Sequence, residues 1–150
     1  MQLTQKETTL LSDLKSAEKL CIEKYTRHAE AARDPQLAEL FRHIAQVERG
    51  HLDTLNQFES SGNPTQGQQM TQPPAVTATY GIADTEDKQA DCYLCSDALT
   101  AEKHASQLYN TCVFEFTTGE LRTALNHIQT EEQGHGKLIY DYMKANGMYS

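Results

Sequence analysis

Two short motifs in the sequence combine a carboxylate with an imidazole at helical spacing. Glu48 precedes His51 by three positions, and Glu132 precedes His135 by three. Side chains at this spacing are neighbours on one face of an α-helix, so each motif can offer an oxygen and a nitrogen to one site. A donor set of this mixed kind suits Fe or Mn, with Zn as an alternative.

A lone glutamate precedes each motif at the same distance. Glu18 precedes Glu48 by the same number of residues as Glu102 precedes Glu132. Tyr25 likewise follows Glu18 at the same distance as Tyr109 follows Glu102. One Glu-x-x-His pair is weak evidence in a chain rich in glutamate, but two pairs with matched upstream residues are stronger. We interpret the tyrosines as hydrogen-bond partners of the ligands across the bundle. The alternative is that they are core tyrosines with other partners.

Four long helices are predicted to position these residues. A Thr-x-x-Glu capping box at Thr4 opens the first helix, and Asp34 followed by proline opens the second. The predicted ranges are a helix pair over 3–58, a connector over 59–84 and a second helix pair over 85–147. The fourth helix is predicted to open at a second capping box, Thr117 to Glu120, and to end at Gly147.

The carboxylates fall on the apolar faces of these helices. Helix two carries apolar residues and then the motif at steps of four and three, which keeps them on one face: Leu37, Phe41, Ile44, Glu48, His51 and Leu55. Helix four repeats the pattern. Burial of four charged carboxylates together is prohibitive unless protons or cations neutralise them. Two divalent ions would balance their charge. The alternative is a buried hydrogen-bond network that holds no metal.

The two halves of the chain are related. One constant shift in numbering, without a gap, aligns Ala17-Glu18-Lys19 with Ala101-Glu102-Lys103 and Gly50-His51 with Gly134-His135. Between the halves, Gly, Pro, Ser and Gln cluster and the periodicity vanishes, which predicts a long connection. The sequence therefore predicts one all-α domain, a four-helix bundle of two duplicated antiparallel helix pairs joined by a long crossover.

Composition excludes several classes of function. The net charge of −8 argues against binding to nucleic acid or to an anionic membrane, because both require a basic face. No segment approaches a membrane span of roughly 20 apolar residues, and the N-terminus does not resemble a secretory signal. We therefore expect a cytoplasmic location and no disulfide framework. Cys92 and Cys95 are either a redox dithiol or a core cysteine beside a partly exposed one.

The pattern of the glutamates and motif histidines resembles the ligand pattern of ferritin-like di-iron and di-manganese carboxylate proteins, and of rubrerythrin in particular. It consists of a glutamate on helix one and Glu-x-x-His on helix two, repeated on helices three and four. The chain is also similar to the spore coat F family. The phrases that carry this second likeness are SAEKLCIEKYTRHA, DPQLAELFRHIAQVERGHLDTLN, LTAEKHASQLYN, ELRTALNHI and YDYMKANGMYS.

The resemblance implies a dinuclear Fe or Mn centre in which the motif glutamates bridge the ions, each motif histidine binds one ion, and the upstream glutamates are terminal ligands. The implied ligands are Glu18, Glu48, His51, Glu102, Glu132 and His135. The activity would be a ferroxidase-like or peroxidase-like reaction with oxygen or peroxide. The alternative is a structural spore coat component without turnover. A homodimer or other spore coat proteins would be the partners, and the location would be the cytoplasm or the coat.

The chain departs from rubrerythrin at two points. It holds one Cys-x-x-Cys motif, where a rubredoxin-type centre requires two. The turn that carries an additional glutamate in rubrerythrins holds Ala105, and helix one offers Cys21, which we interpret as core filler. These departures argue against peroxide reduction of the rubrerythrin type. The remaining candidates are predicted to lie at the periphery, on the surface or behind the ligands: Glu131, His28, His43, His104 and His127.

Overall fold

Four helices account for most of the chain. The computed structural model describes residues 2–60, 64 and 72–149, and within these residues it contains no strand. The helices are α1 (Gln5–Ala31), α2 (Pro35–Asn56), α3 (Glu86–Glu115) and α4 (Gly119–Ala145), with a short 3-10 turn over Gln57–Glu59. Among the described residues, no helix combines the length and apolar character that a membrane span requires.

The first three helices begin where side chains can cap them. Thr4, Asp34 and Thr85 each accept a hydrogen bond from a backbone N–H in the first turn of α1, α2 and α3. Such bonds satisfy donors that have no partner inside the helix. Pro35 occupies the first helical position of α2, where its missing N–H costs nothing. These starts follow the sequence prediction.

The start of α4 differs from the prediction. The capping residue is Thr118, and its side chain makes no capping hydrogen bond, so the predicted capping box from Thr117 to Glu120 is wrong. The Thr117 hydroxyl instead donates to Glu7 Oε1 at 2.9 Å. Glu7 is buried, and a buried carboxylate needs a donor, so this tertiary contact replaces the local one.

The end of α4 lies shortly before the predicted one. The helix ends at Ala145, and Gly147 adopts the left-handed conformation with φ 64°. Met148 N–H donates to Met143 O at 2.8 Å, and Gly147 N–H donates to Lys144 O at 3.3 Å. This pair of bonds is the Schellman termination, for which glycine is favoured because it lacks a Cβ.

The helices pack as two pairs around a divided core. α1 packs mainly against α2, and α3 against α4, with further contacts from α1 to α3 and from α2 to α4. Buried apolar residues form two clusters, one around Phe41 and Ile44 and another around Leu55 and Phe58. On α2 the Glu-x-x-His motif lies between these two groups of residues. The polar site therefore separates two apolar halves of the core.

The connection between α2 and α3 links opposite halves of this core. Phe58, just after α2, belongs to the second cluster, and Leu94 in the first turns of α3 belongs to the first. Near α3 the backbone N–H groups of Thr79 and Tyr80 donate to Asn146 Oδ1, at 2.8 and 3.0 Å. Residues 61–63 and 65–71 of the predicted connector lie outside the described residues.

Asp91 joins the two helix pairs at one end of the bundle. Its Oδ1 accepts from Arg33 N–H at 2.8 Å, and its Oδ2 accepts from Asp34 N–H at 2.9 Å and from the Tyr80 hydroxyl at 2.6 Å. The side chain is fully buried. One residue of α3 thus fixes the turn between α1 and α2 together with the chain that leads into α3.

Removal of this carboxylate is expected to destabilise the bundle strongly. Asp91→Ala leaves three donors without their partner, and we expect a loss of about 3 kcal/mol and a fall in Tm of roughly 6–12 °C. Thermal unfolding followed by circular dichroism measures both. Asp87→Ala is the matched control, because Asp87 forms an exposed ion pair with Arg33 that is worth less than about 1 kcal/mol. Equal effects of the two substitutions would contradict this assignment.

Candidate metal centre

The six residues that the sequence singled out lie together in the middle of the bundle. Their side chains are all buried. They form two groups of four, and within each group one ligand atom per residue lies within 4.8 Å of the others. The groups are Glu18, Glu48, His51 and Glu132, and Glu48, Glu102, Glu132 and His135. Glu48 and Glu132 belong to both groups, so the two groups share one edge.

His51 turns its Nδ1 atom toward the carboxylates. This nitrogen lies 3.2 Å from Glu48 Oε2, 3.1 Å from Glu132 Oε1 and 3.7 Å from Glu18 Oε1. The contact with Glu48 lies within α2, as the three-residue spacing predicts, whereas the contacts with Glu132 and Glu18 come from α4 and α1. Three helices therefore converge on one imidazole nitrogen.

His135 repeats this arrangement on the other side of the centre. Its Nδ1 lies 3.0 Å from Glu48 Oε1, 3.3 Å from Glu102 Oε1 and 3.8 Å from Glu132 Oε2. The imidazole rings of His51 and His135 are inclined by 26° to each other, with centroids 6.0 Å apart. Each half of the centre therefore offers one nitrogen and several carboxylate oxygens.

Two tyrosines bind the upstream glutamates across the bundle. The Tyr25 hydroxyl on α1 donates to Glu102 Oε1 on α3 at 2.5 Å, and the Tyr109 hydroxyl on α3 donates to Glu18 Oε1 on α1 at 2.5 Å. Burial raises the pKa of both hydroxyls, and the charge of the partner glutamate adds to the effect. Both tyrosines therefore stay protonated and act as donors that orient these carboxylates.

Crowding of the carboxylates shifts their ionisation in the metal-free chain. Burial and the neighbouring Glu18 raise the pKa of Glu48 from 4.5 to about 7. Burial and the contact with Glu132 raise the pKa of Glu102 from 4.5 to about 8. Without cations, these two groups therefore retain protons near neutral pH, because each would otherwise add a buried negative charge beside another one.

The pKa values of Glu132 and of the two histidines shift so that these groups carry charge. Burial alone would raise the pKa of Glu132 and lower that of His51 and His135. Hydrogen bonds among them outweigh burial, so the pKa of Glu132 falls below 4.5 and the pKa of each histidine rises well above 6.5. Without cations, protonated imidazoles therefore donate hydrogen bonds to the carboxylates around them.

Several buried atoms of the site lack a partner of their own. Among the described residues, no hydrogen-bond donor meets Oε2 of Glu18, Glu102 or Glu132. Unpaired carboxylate oxygens are costly in a buried setting, and cations satisfy them. The donor set of oxygen and imidazole nitrogen therefore fits a pair of divalent metal ions such as Fe or Mn.

A solvent-open groove leads to one side of the centre. It has a volume of about 610 Å³ and lies between α3 and α4. Its lining includes Glu102 and Glu132 together with Ser106, Gln107 and Gln133. Two of the buried carboxylate residues therefore line a groove that is open to solvent.

Glu131 contacts the centre, so its prediction as a peripheral residue is wrong. Its Oε1 lies 2.9 Å from His51 Nε2, the ring nitrogen that faces away from the other carboxylates. The same oxygen lies 3.1 Å from His127 Nε2. Glu131 lies one position from Glu132, and this offset suggested a peripheral place. The spacing of four residues from His127 is the sequence signal that could have identified Glu131 as a partner of a histidine.

The other candidates lie around the centre or away from it. Burial and the charges of Glu48 and Glu18 raise the pKa of the Cys21 thiol, so it stays protonated. Cys95 is buried and Cys92 half-buried, which agrees with a core cysteine beside a partly exposed one. Of the remaining histidines, His28 forms an ion pair with Asp97 at 2.8 Å. His43 is buried and His104 is exposed.

Comparison with family models agrees with this geometry. Residues 9–87, more than half of the chain, match the rubrerythrin model. The chain belongs to the rubrerythrin family. Residues 90–150 of this rubrerythrin-family chain match the model of the coat F domain. Searches of curated proteins and of solved structures find no match.

The two matches divide the centre between them. The rubrerythrin match covers Glu18, Glu48 and His51, and the coat F match covers the other three residues of the cluster. Both sequence resemblances are thereby confirmed, and this member of the rubrerythrin family is ferritin-like and related to spore coat proteins. Membership and the buried Glu/His cluster together indicate binding of divalent metal.

Proposed function

We propose that the chain binds two divalent ions, Fe or Mn, in a Glu4His2 centre and reacts there with oxygen or peroxide. The ligands are the six residues of the two overlapping groups. One observation carries the proposal: both groups are fully buried, share Glu48 and Glu132, and contain carboxylate oxygens without other partners. Two divalent ions would replace the shared protons and neutralise four carboxylates.

Each residue has a role in this proposal that follows from its contacts. Glu48 and Glu132 face both histidines, so both ions would be held partly by these two carboxylates. Each histidine would hold one ion through Nδ1. Tyr25 and Tyr109 hold the terminal glutamates in orientation, and apolar clusters lie on both sides of the centre. A pair of Fe(II) or Mn(II) ions held there would supply electrons to oxygen or peroxide and would itself be oxidised.

Metal content and iron oxidation test this function. We expect the purified wild type to take up two equivalents of Fe(II) or Mn(II), measured by elemental analysis. In air it should oxidise Fe(II) faster than buffer, followed by ferric absorbance, and Glu132→Ala should oxidise it at the buffer rate. A wild type that takes up neither metal, or that oxidises Fe(II) no faster than Glu132→Ala, would rule the proposal out.

The coat F match favours a second function, a structural component of the spore coat. In this case metal would serve stability alone, and the partners would be a second copy of the chain or other coat proteins. The location would be the coat, whereas the first function is also compatible with the cytoplasm. A chain whose Tm rises with metal but whose Fe(II) oxidation does not exceed that of buffer would favour this function.

Duplication of one helical hairpin, with a crossover between the copies, accounts for the architecture of the centre. The two tyrosine contacts support it, because matched residues of the two halves make equivalent bonds in opposite directions. The position of Phe58 and Leu94 in opposite core clusters supports a connection that runs the height of the bundle. The single domain over residues 1–150 stays a prediction.

A further inference from the structure

The two histidines of the centre differ in the partners of their outer nitrogens. His51 Nε2 lies 2.9 Å from Glu131 Oε1, which also lies 3.1 Å from His127 Nε2. His135 Nε2 is buried and has no partner among the described residues. The centre is therefore asymmetric around its ligands, although the ligand residues themselves match in pairs.

A substitution at one matched position explains this difference. The shift that aligns the two halves places Val47 opposite Glu131 and His43 opposite His127. His43 is buried, and its Nε2 also lacks a partner in the described part of the chain. Glu131 contacts the Nε2 atoms of His51 and His127. With Val47 at the matched position, the Nε2 atoms of His135 and His43 have no such partner in the residues that the structure describes.

A partner on the outer nitrogen controls how a histidine binds metal. It fixes the ring rotation and places the proton on Nε2, which leaves the Nδ1 lone pair for the ion. In His51 the Nδ1 atom lies beside Glu48 and Glu132, with which it would share an ion. His135 has no such restraint from the described residues. Removal of a partner of this kind typically weakens metal binding by about 10- to 100-fold.

The groove between α3 and α4 opens on the less restrained half. Its lining includes Glu102, Ser106, Glu132 and Gln133. Glu102 belongs to the group of His135 and not to the group of His51. An ion held beside Glu102 would therefore lie next to a groove that is open to solvent.

We propose that Glu131 is a positioning residue that makes the His51 position retain its ion, whereas the His135 position exchanges its ion through the groove. The inference rests on the proposed function, because it requires two bound ions. It applies to divalent cations that the centre accepts, for which Mn(II) and Co(II) are suitable probes. The two positions are then unequal in affinity despite equivalent ligands.

Loss of metal to a chelator tests this inequality without a measurement of activity. The full chain is loaded with Co(II), mixed with excess EDTA, and followed by the visible absorption of the bound ion. We expect the wild type to lose its ions in two phases of one ion each, separated by about tenfold or more in rate. Glu131→Val should accelerate the slow phase until it approaches the fast one. Glu131→Gln should retain most of the difference, because the amide oxygen still accepts a hydrogen bond.

Two reciprocal variants provide independent tests. Val47→Glu places a carboxylate at the matched position, and we expect it to slow the fast phase. Ser106→Phe narrows the groove and should also slow the fast phase, whereas Ile22→Phe, at the matched position of the first half, should leave it unchanged. Val47→Glu keeps the proposal testable even if Glu131→Val does not fold.

The outcomes separate this inference from the proposed function. A wild type that binds no Co(II) and no Mn(II) overturns both. A wild type that binds two ions and loses them in a single phase overturns the inequality alone. If the wild type loses Co(II) in two phases, and neither Glu131→Val nor Val47→Glu changes their rates, the role of Glu131 is overturned.

Discussion

Glu132→Ala is expected to reduce the metal content from two ions per chain to fewer than one. We expect the same for Glu48→Ala, and a smaller effect for any other single ligand substitution. Both residues belong to both four-residue groups, so either loss removes a ligand from each ion position. Glu18→Ala and Glu102→Ala each affect one group and should retain about one ion. Elemental analysis after desalting and isothermal titration with Mn(II) measure the stoichiometry.

The same variants should differ in metal-dependent stability. An ion present at 100 times its Kd stabilises the folded chain by about 2.7 kcal/mol, so two ions should raise the Tm of the wild type by roughly 10–20 °C. We expect little rise in Glu132→Ala and an intermediate rise in Glu102→Ala. Glu30→Ala, at an exposed position near the end of α1, is the control and should behave as wild type. A full metal response of Glu132→Ala would contradict the shared role of this residue.

The metal-free chain is expected to lose stability as the pH rises from 5.5 to 8.5. Glu48 and Glu102 ionise at about 7 and 8 in the folded chain and near 4.5 when unperturbed. Groups whose folded pKa is raised stabilise below the unfolded value, and that contribution disappears as the pH passes the folded value. A tenfold change in proton affinity is worth about 1.4 kcal/mol, so we expect a loss on the order of 5 kcal/mol over this range.

The histidines change stability in the same direction over this range. The pKa of His51 and of His135 is also raised, so their contribution falls as they lose protons at high pH. Glu131 and Glu132 have lowered pKa values, and their contribution is lost only as the pH falls below about 4.5. Acid destabilisation from these two groups therefore lies outside the window.

Thermal unfolding at the two pH values, with EDTA or with Mn(II), tests this prediction. Metal should remove or reverse the decline, because ions bind the deprotonated ligands more tightly as the pH rises. Glu48→Gln carries no charge at this position, so its metal-free form should show a weaker decline than wild type. Equal stability of the metal-free wild type at pH 5.5 and 8.5 would show that the carboxylates are not crowded in the folded chain.

Local signals were sufficient for much of the fold. Thr4, Asp34 and Thr85 cap their helices because the capping group and its partner are neighbours in sequence. Thr117 fails as a cap because its hydroxyl meets Glu7 from a distant helix, and sequence periodicity carries no information about that contact. Helix caps are therefore predictable where the partners of the capping side chain are near it in sequence. They are not predictable where a buried residue of another helix takes that side chain as its partner.

The central cluster was predictable for a related reason. Glu48 and His51 interrupt an apolar stripe, so the direction of their side chains follows from the direction of their neighbours. Glu131 lies one position away from the stripe, and its contact with His51 depends on how α2 and α4 pack against each other. The sequence thus indicates which residues face the core, while the contacts behind them require coordinates.

Both four-residue groups cross the boundary between the helix pairs. The first takes three residues from α1 and α2 and one from α4, and the second takes three from α3 and α4 and one from α2. The tyrosines cross the same boundary in both directions. A lone helical hairpin of either sequence therefore could not assemble a complete set of donors. Under the proposed duplication, an ancestor with one hairpin per polypeptide would have needed a second molecule beside it. Covalent linkage of the two would then have allowed each hairpin to diverge, as at Val47 and Glu131.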